Sequence, residues 1–211
     1  MPHQADTKER LLDAAERLFA AEGLSRTSLR AITCEAGVNV AAVHYHFGSK
    51  DDLLGELLRR RIAPMNEERL AQLQAIESTA HAGPLPLAAV LRAYIEPAFR
   101  FRSEMSGHES LGRLFGRLYS EPEEILESTL REIFEDVARR FLSALSRALP
   151  ELDPDELAWR FHFVVGGLVH TLLGRPDMHA PDAGETPEGL VIDRMVAFGV
   201  GGLQAPVEVG Q

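Results

Sequence analysis

The sequence predicts an all-α protein: a small N-terminal three-helix unit followed by a larger helical body. Three observations carry this expectation. Apolar residues recur at helical spacing through nearly the whole chain, and no period-2 alternation lasts long enough to require a strand. Glycines and prolines fall between the periodic segments, where they punctuate helices. The apolar content, 45% of 211 residues, is that of a globular protein with a real core.

The first helix is expected over Asp6 to Glu22. Asp6 and Glu9 have the spacing of a capping box, and Gly23 supplies the left-handed residue after the last turn. Leu11, Leu12, Ala15, Leu18 and Phe19 form its apolar stripe. A second, short helix is expected from Ser28 to Ala36, capped by Thr27 or Ser28 and ended by Gly37. Leu29, Ile32, Thr33 and Ala36 share one face, so Arg30 and Cys34 point away. The third is expected from Val40 to Phe47, with Val40, Val43 and Phe47 inward, Ala41, Ala42, His44 and Tyr45 outward, and His46 at the border. A helix this short is unstable alone and needs the first two to hold it.

A fourth helix opens at Ser49 with Asp51 and Asp52 in its first turn, and Pro64 should end or kink it. Helical periodicity resumes in residues 66–76, and residues 81–87 read as a linker. Five further helices are expected: Leu85–Arg102, His108–Tyr119, Pro122–Leu149, Pro154–Leu173 and Pro187 to about Gly201. Pro122, Pro154 and Pro187 each take a first helical position, followed by acids that suit the helix dipole. Residues 174–186 read as a loop. The organisation expected is residues 1–50 as one domain, 50–63 as a connecting helix and 64–211 as the body.

Charge is divided along the same line. Residues 1–62 carry nine Lys or Arg and nine Asp or Glu, so the entire net charge of −10 lies in the remainder. A neutral head can approach phosphates while an acidic body stays away from them. Lys8 and Lys50 are the only lysines, so Lys50 stands out against arginine. One cysteine excludes an internal disulfide, no run of about 18 apolar residues appears, and the N-terminus lacks an apolar signal core. These features predict a cytoplasmic protein that contacts no membrane.

Catalytic and metal motifs are absent. No histidine follows a glutamate by three, the His108-Glu109 pair is not completed because Gly112 stands where a second histidine is needed, and no Gly-x-Ser-x-Gly occurs. His44 and His46 lie two apart and do not share a helix face, so no metal site is expected. Gly199 and Gly201 begin a dinucleotide fingerprint that Gln204 ends. The chain reads as a non-enzyme without cofactor.

The stretch Ala36 to Leu54, AGVNVAAVHYHFGSKDDLL, resembles the signature of the TetR/AcrR family of transcriptional regulators. Gly37-Val38, His46-Phe47 and Lys50 match it, Val43 stands for its leucine, and Thr27 to Arg30 with Ile32 fit its second helix. His44 departs from the usual tyrosine, with Tyr45 following. The resemblance covers about residues 6–60.

It implies a helix-turn-helix whose second helix enters the major groove of double-stranded DNA. Base contacts would come from Val40, Ala41, Ala42, His44, Tyr45 and His46, the small apolar side chains meeting thymine methyls. Lys50 at a helix start would attract phosphate, Ser28 and Arg30 would clamp the backbone, and Thr27 and Asn39 complete the DNA-facing set. The family reading further implies a homodimer on a palindromic operator, paired through the last two helices (residues 160–174 and 190–202), with Gly166, Gly167, Gly199 and Gly201 allowing close approach.

It also implies a small-molecule effector, apolar or amphipathic, whose binding in the body moves the fourth helix and releases the operator. The candidate pocket residues are Phe99, His108, Arg113, Phe115, Tyr119, Phe134, Trp159, His162, Phe163 and His170, against the plainer reading that such aromatics are core. The competing class is a helical ligand-binding or dimerising protein whose helix-turn-helix does not bind DNA.

Overall fold

Eight α-helices and no strand make up the described residues, which in this computed structural model are 2–80, 83–106, 124–172 and 186–206. In chain order they are α1 (Pro2–Glu22), α2 (Leu29–Glu35), α3 (Val40–His46), α4 (Lys50–Ala80), α5 (Leu87–Ser106), α6 (Glu124–Ala148), α7 (Pro154–Leu172) and α8 (Glu188–Gln204). The helix expected over His108–Tyr119 lies outside the described residues.

Several boundaries differ from expectation; α5 starts at Leu87 rather than Leu85 and continues to Ser106 rather than Arg102, α8 runs on to Gln204, and three further differences have a clear physical cause. α1 starts at Pro2, so Asp6 lies within the helix and is not its cap. Nothing between Pro2 and Asp6 interrupts helical backbone, and proline's fixed φ suits a first turn. α4 does not end at Pro64 but continues to Ala80. Proline there forgoes only its own bond to the carbonyl four residues earlier, and burial of Leu57, Leu58, Ile62, Met65 and Leu73 holds the helix on both sides. Pro187 is the residue before α8 rather than its first, with φ −54° and ψ 133°.

The chain forms two compact units: Met1–Pro64 with Ser103–Phe134, and Met65–Arg102 with Glu135–Gln211. The described part of 103–134, expected in the body, therefore groups with the first unit. The start of α6 meets α4 there: Arg59 pairs with Glu132 at 2.9 Å, and a Cβ on Gly55 would stand 3.6 Å from Thr129 Cγ2.

In the first unit Leu11, Leu12, Ala15 and Phe19 of α1 pack with Ile32, Val43, Leu53, Leu57 and Leu58, all 0–1% exposed. Each such large side chain contributes roughly 1.5–3 kcal/mol on burial, far more than a seven-residue helix gains from propensity. The charged rim of the same interface is also paired. Glu16, 7% exposed at its side chain, receives Arg61 at 2.6 Å and Arg60 at 3.3 Å, while Arg60 reaches Glu9 at 2.7 Å and Asp13 at 2.9 Å. Burial works against the Arg60 charge, but the hydrogen bonds to Glu9 and Asp13 outweigh it and its pKa is raised. Lys8 completes the clasp on Glu56.

In the second unit Tyr94 is the hub, with Phe141 and Phe161 edge-on at 5.0 Å centroid separation. The Arg69 guanidinium sits 4.1 Å from the Tyr94 ring centre and its Nε donates to the Tyr94 carbonyl at 2.9 Å. Burial lowers the Arg69 pKa and raises that of the Tyr94 phenol.

α7 and α8 pack on each other, and Arg160 of α7 ties them. Its Nη1 donates to the carbonyls of Ala205 (2.6 Å), Leu203 (3.0 Å) and Gly202 (3.2 Å), while Nε holds Glu156 at 2.7 Å. The cation thus satisfies the carbonyls at the C-terminal end of α8, where the dipole favours it. Replacing Arg160 by methionine keeps most of the stem packing and removes these bonds. The expected cost is about 2 kcal/mol, readable as a lower midpoint in urea unfolding followed by circular dichroism.

Candidate nucleic-acid interface

α3 is short because its ends are closed by side chains and glycine within a few residues. Asn39 Oδ1 accepts from the Ala42 amide at 3.0 Å, an N-cap. Phe47 N and Gly48 N both donate to Val43 O, at 2.8 and 3.2 Å, with Gly48 at φ +86°. Ser28 caps α2 in the same way, accepting from Ala31 N at 3.1 Å. The turn between the helices passes through Gly37 at φ +63°.

That turn has a tertiary brace: Arg10 Nη2 of α1 donates to the Ala36 carbonyl and, at 3.3 Å, to that of Gly37. A Cβ on Gly37 would stand only 2.9 Å from Arg10 Nη2, so a side chain there would be strained at that φ and would displace the Arg10 brace. Arg10 carries no local pattern signal, and sequence reasoning missed it. It missed the Glu16 clasp for the same reason.

The α2 face is as expected: Ile32, Thr33 and Ala36 are buried, Leu29 is half-buried, and Arg30 and Cys34 are exposed. On α3 only Val43 is fully buried; Phe47 is half-buried and Val40, expected inward, is 39% exposed. Val40 is the first residue after the cap, beyond the reach of the Ile32 and Val43 core. The exposed residues of α3 are therefore Val40, Ala41, His44 and Tyr45, a continuous stripe at helical spacing. Tyr45 is 73% exposed, its ring against that of His46 at 5.0 Å. Ala42 and His46 are half-buried at the edges of the stripe.

Other members of the proposed DNA-facing set are held by the protein. Thr27 is 1% exposed, and its hydroxyl donates to Gly23 O at 2.8 Å and Leu18 O at 3.3 Å. It closes the end of α1, so its side chain is not available to phosphate. Lys50 is half-buried, with Nζ donating to Leu24 O at 2.5 Å across the first unit. His44 Nδ1 lies 2.9 Å from Gly48 O. Ser49 caps α4, accepting from Asp52 N at 3.0 Å and donating to Asp52 Oδ2 at 2.6 Å.

Within the second unit, the described members of the suggested effector set are not brought together. Phe99 is fully buried in the second unit's core, whereas Trp159 and Phe163 are 61% and 63% exposed and His162 and His170 also face outward on α7. Trp159 and His162 line a shallow open concavity with Asp155 and Ala158. Phe134 is half-buried in the first unit. His108, Arg113, Phe115 and Tyr119 lie outside the described residues. Trp159, His162, Phe163 and His170 thus lie on the surface of the single chain: periodicity identified an apolar helix but not which side its neighbours would cover.

α7 and α8 together leave further apolar surface open. Phe198 is 76% and Leu190 43% exposed, and a Cβ on Gly166, Gly167, Gly201 or Gly202 would meet nothing within 4 Å. Gly199 differs: a Cβ there would approach Leu91 Cδ1 to 3.1 Å, so it permits close helix packing inside the chain. Among the described residues no helix is long and apolar enough to cross a membrane.

Known proteins share these features. A family model described as "Bacterial regulatory proteins, tetR family" matches residues 11–57, and one described as "Tetracyclin repressor-like, C-terminal domain" matches residues 92–202. The regulator AcrR of Shigella flexneri is 44% identical over 52 residues, 25% of this chain and 24% of that protein. The chain's matches span only about a quarter to a third of such curated relatives. Among solved structures, the fatty acid degradation regulator FadR from Bacillus halodurans superposes with a TM-score of 0.68 at 14% identity, covering 95% of this chain and 97% of that one. A SmeT–triclosan complex superposes with a TM-score of 0.64 at 24% identity, covering 97% of each. Two family models, the second spanning more than half of the chain, match an all-helical fold with a capped helix-turn-helix: the chain belongs to the TetR family.

Proposed function

We propose that the protein is a repressor that binds a palindromic operator as a homodimer and leaves it when an apolar or amphipathic small molecule binds. The observation that carries the DNA reading is the stripe Val40, Ala41, His44 and Tyr45, exposed on a helix that caps, glycine turns and the α1 core hold rigidly. In this reading the stripe enters the major groove. Arg30, Ser28, Asn39 and Lys50 approach phosphates from its flanks, with Ala42 and His46 at its edges. Two copies pair through α7 and α8, where Trp159, Phe163, Leu190 and Phe198 stand exposed beside open glycines. Such a cluster is unusual on a monomer's surface and suits a second copy of itself. The effector class draws on relatives: SmeT has been solved with triclosan, an apolar aromatic compound.

An electrophoretic shift with fragments flanking the protein's own gene tests the reading. A salt-sensitive complex is expected, weakening by orders of magnitude between 50 and 200 mM salt, as phosphate contacts require. No complex with any fragment at low salt would refute it. Lys50→Ala should weaken all sequences alike, and more than a lost phosphate contact alone because the Leu24 carbonyl also loses its donor. Tyr45→Ala should instead change which sequences are preferred. Identical profiles for the two variants would contradict the division between anchoring and reading. Release of the complex by apolar compounds such as triclosan, with the protein still folded, tests the effector class.

A further inference from the structure

The ring of His44 is held in a way that determines what its outer nitrogen can do. Nδ1 lies 2.9 Å from the carbonyl oxygen of Gly48. A carbonyl only accepts, so Nδ1 carries the proton and donates. A neutral imidazole has one N–H, which leaves Nε2 as a bare lone pair. The lock is built into the backbone: Gly48 at φ +86° turns its carbonyl back over the last turn of α3, while Phe47 N and Gly48 N close that turn on Val43 O. A side chain at position 48 would be strained at that φ and would approach Asp52 Oδ2 to 3.3 Å.

His44 lies on the exposed stripe of α3 with Ala41 and Tyr45. An acceptor on that stripe has a restricted set of partners on DNA. Phosphate oxygens are acceptors only, so an imidazole whose one proton sits on Nδ1 cannot bond them through Nε2. In the major groove the donors are the exocyclic amines, N6 of adenine and N4 of cytosine, whereas guanine N7 and O6 and thymine O4 accept. Resting on the regulator reading, we infer that His44 is a specificity-determining residue that accepts, through Nε2, from the exocyclic amine of an adenine or cytosine, and does not anchor phosphate. Gly48 is its positioning residue, acting by holding the tautomer.

Two measurements on the full chain test this. Nitrogen NMR of the free protein near neutral pH should find the His44 proton on Nδ1; a proton on Nε2 overturns the inference before DNA is added. The second uses a duplex selected by the protein from random sequences, with each adenine replaced in turn by purine and each cytosine by 2-pyrimidinone, which lack the amine. One position per half-site should lose about threefold to tenfold in affinity, the worth of one neutral hydrogen bond. In His44→Ala that position should lose nothing further, while in His44→Gln, whose amide both donates and accepts, base preference there should broaden. If His44→Ala weakens every sequence equally, and a methylphosphonate rather than an amine-less base reproduces its loss, His44 is a phosphate contact and the inference falls. A chain that binds no duplex overturns the regulator reading itself. Binding without an amine whose effect depends on His44 overturns only this assignment.

Discussion

Replacing Phe163 and Phe198 together by aspartate is expected to yield a monomer and to remove specific DNA binding. The two rings are 63% and 76% exposed on adjoining helices, and next to them Gly166, Gly167, Gly201 and Gly202 offer open notches. Aromatic side chains bury about 150–250 Å² each, so covering these rings with a second copy would account for a large share of dimer stability. Carboxylates in their place would face like charges across a twofold axis in a desolvated setting, which opposes pairing strongly. Light scattering should then give 23.3 kDa, the mass of one chain, where the unmodified protein is expected to give twice that. Because a single helix-turn-helix contacts only one half-site, specific affinity should fall by about 100-fold or more toward the non-specific range. The variant should keep its helical content, since both side chains lie on the surface of the single chain, while its melting point should fall by what pairing contributes. A variant that still runs at the dimer mass would refute this interface.

The second large effect concerns Glu16. Its carboxylate is nearly buried beneath Arg60 and Arg61, and α1 and α4 meet across it. Glu16→Ala leaves two guanidinium groups without their acceptor. Arg60 keeps Glu9 and Asp13, but Arg61 has no other salt-bridge partner among the described residues. A fully buried pair broken in this way costs about 3–5 kcal/mol; with Arg60 at 22% and Arg61 at 33% exposure, about 2–3 kcal/mol is the discounted expectation. Thermal unfolding should register it as a drop of roughly 8–24 °C if the first unit melts independently. Glu16→Gln, which retains an acceptor, should recover part of the loss. Because α1 also supplies Arg10, which braces the turn at Gly37, the Ala variant should weaken DNA binding although Glu16 lies outside the α3 stripe. Unchanged melting in Glu16→Ala would mean that the ion pairs contribute nothing net.

Much of the reading head was legible before any coordinates. Ser28, Gly37, Asn39, Gly48 and Ser49 stand at positions whose chemistry reaches no further than three or four residues, so their roles follow from spacing. The buried side of α2 was legible likewise, because Ile32, Thr33 and Ala36 recur at the period of the helix. Val40 was misplaced inward because a periodicity argument does not know where a neighbouring helix stops covering a face. Thr27 and Lys50 were assigned to DNA from the motif alone; Thr27 instead bonds Gly23 four residues back, at the end of α1, and Lys50 bonds Leu24 across the unit.

The sequence by itself determined the all-helical class, the helix-turn-helix, the exposure of Ala41, His44 and Tyr45 on α3 and the family, since each rests on contacts within one turn or on a short contiguous pattern. Only the tertiary structure decided that α4 runs unbroken through Pro64, that Arg10 and Glu16 brace the head, and that Trp159, Phe163 and His162 face outward rather than into a pocket. α7 is apolar on nearly every side, so its own periodicity favours no face. Which residues are covered depends on where α5 and α8 lie, and that is a property of helices distant in sequence. His44 belongs to both kinds of knowledge: the sequence marked it as a departure from the family's tyrosine, and the Gly48 carbonyl gave that departure a chemical consequence.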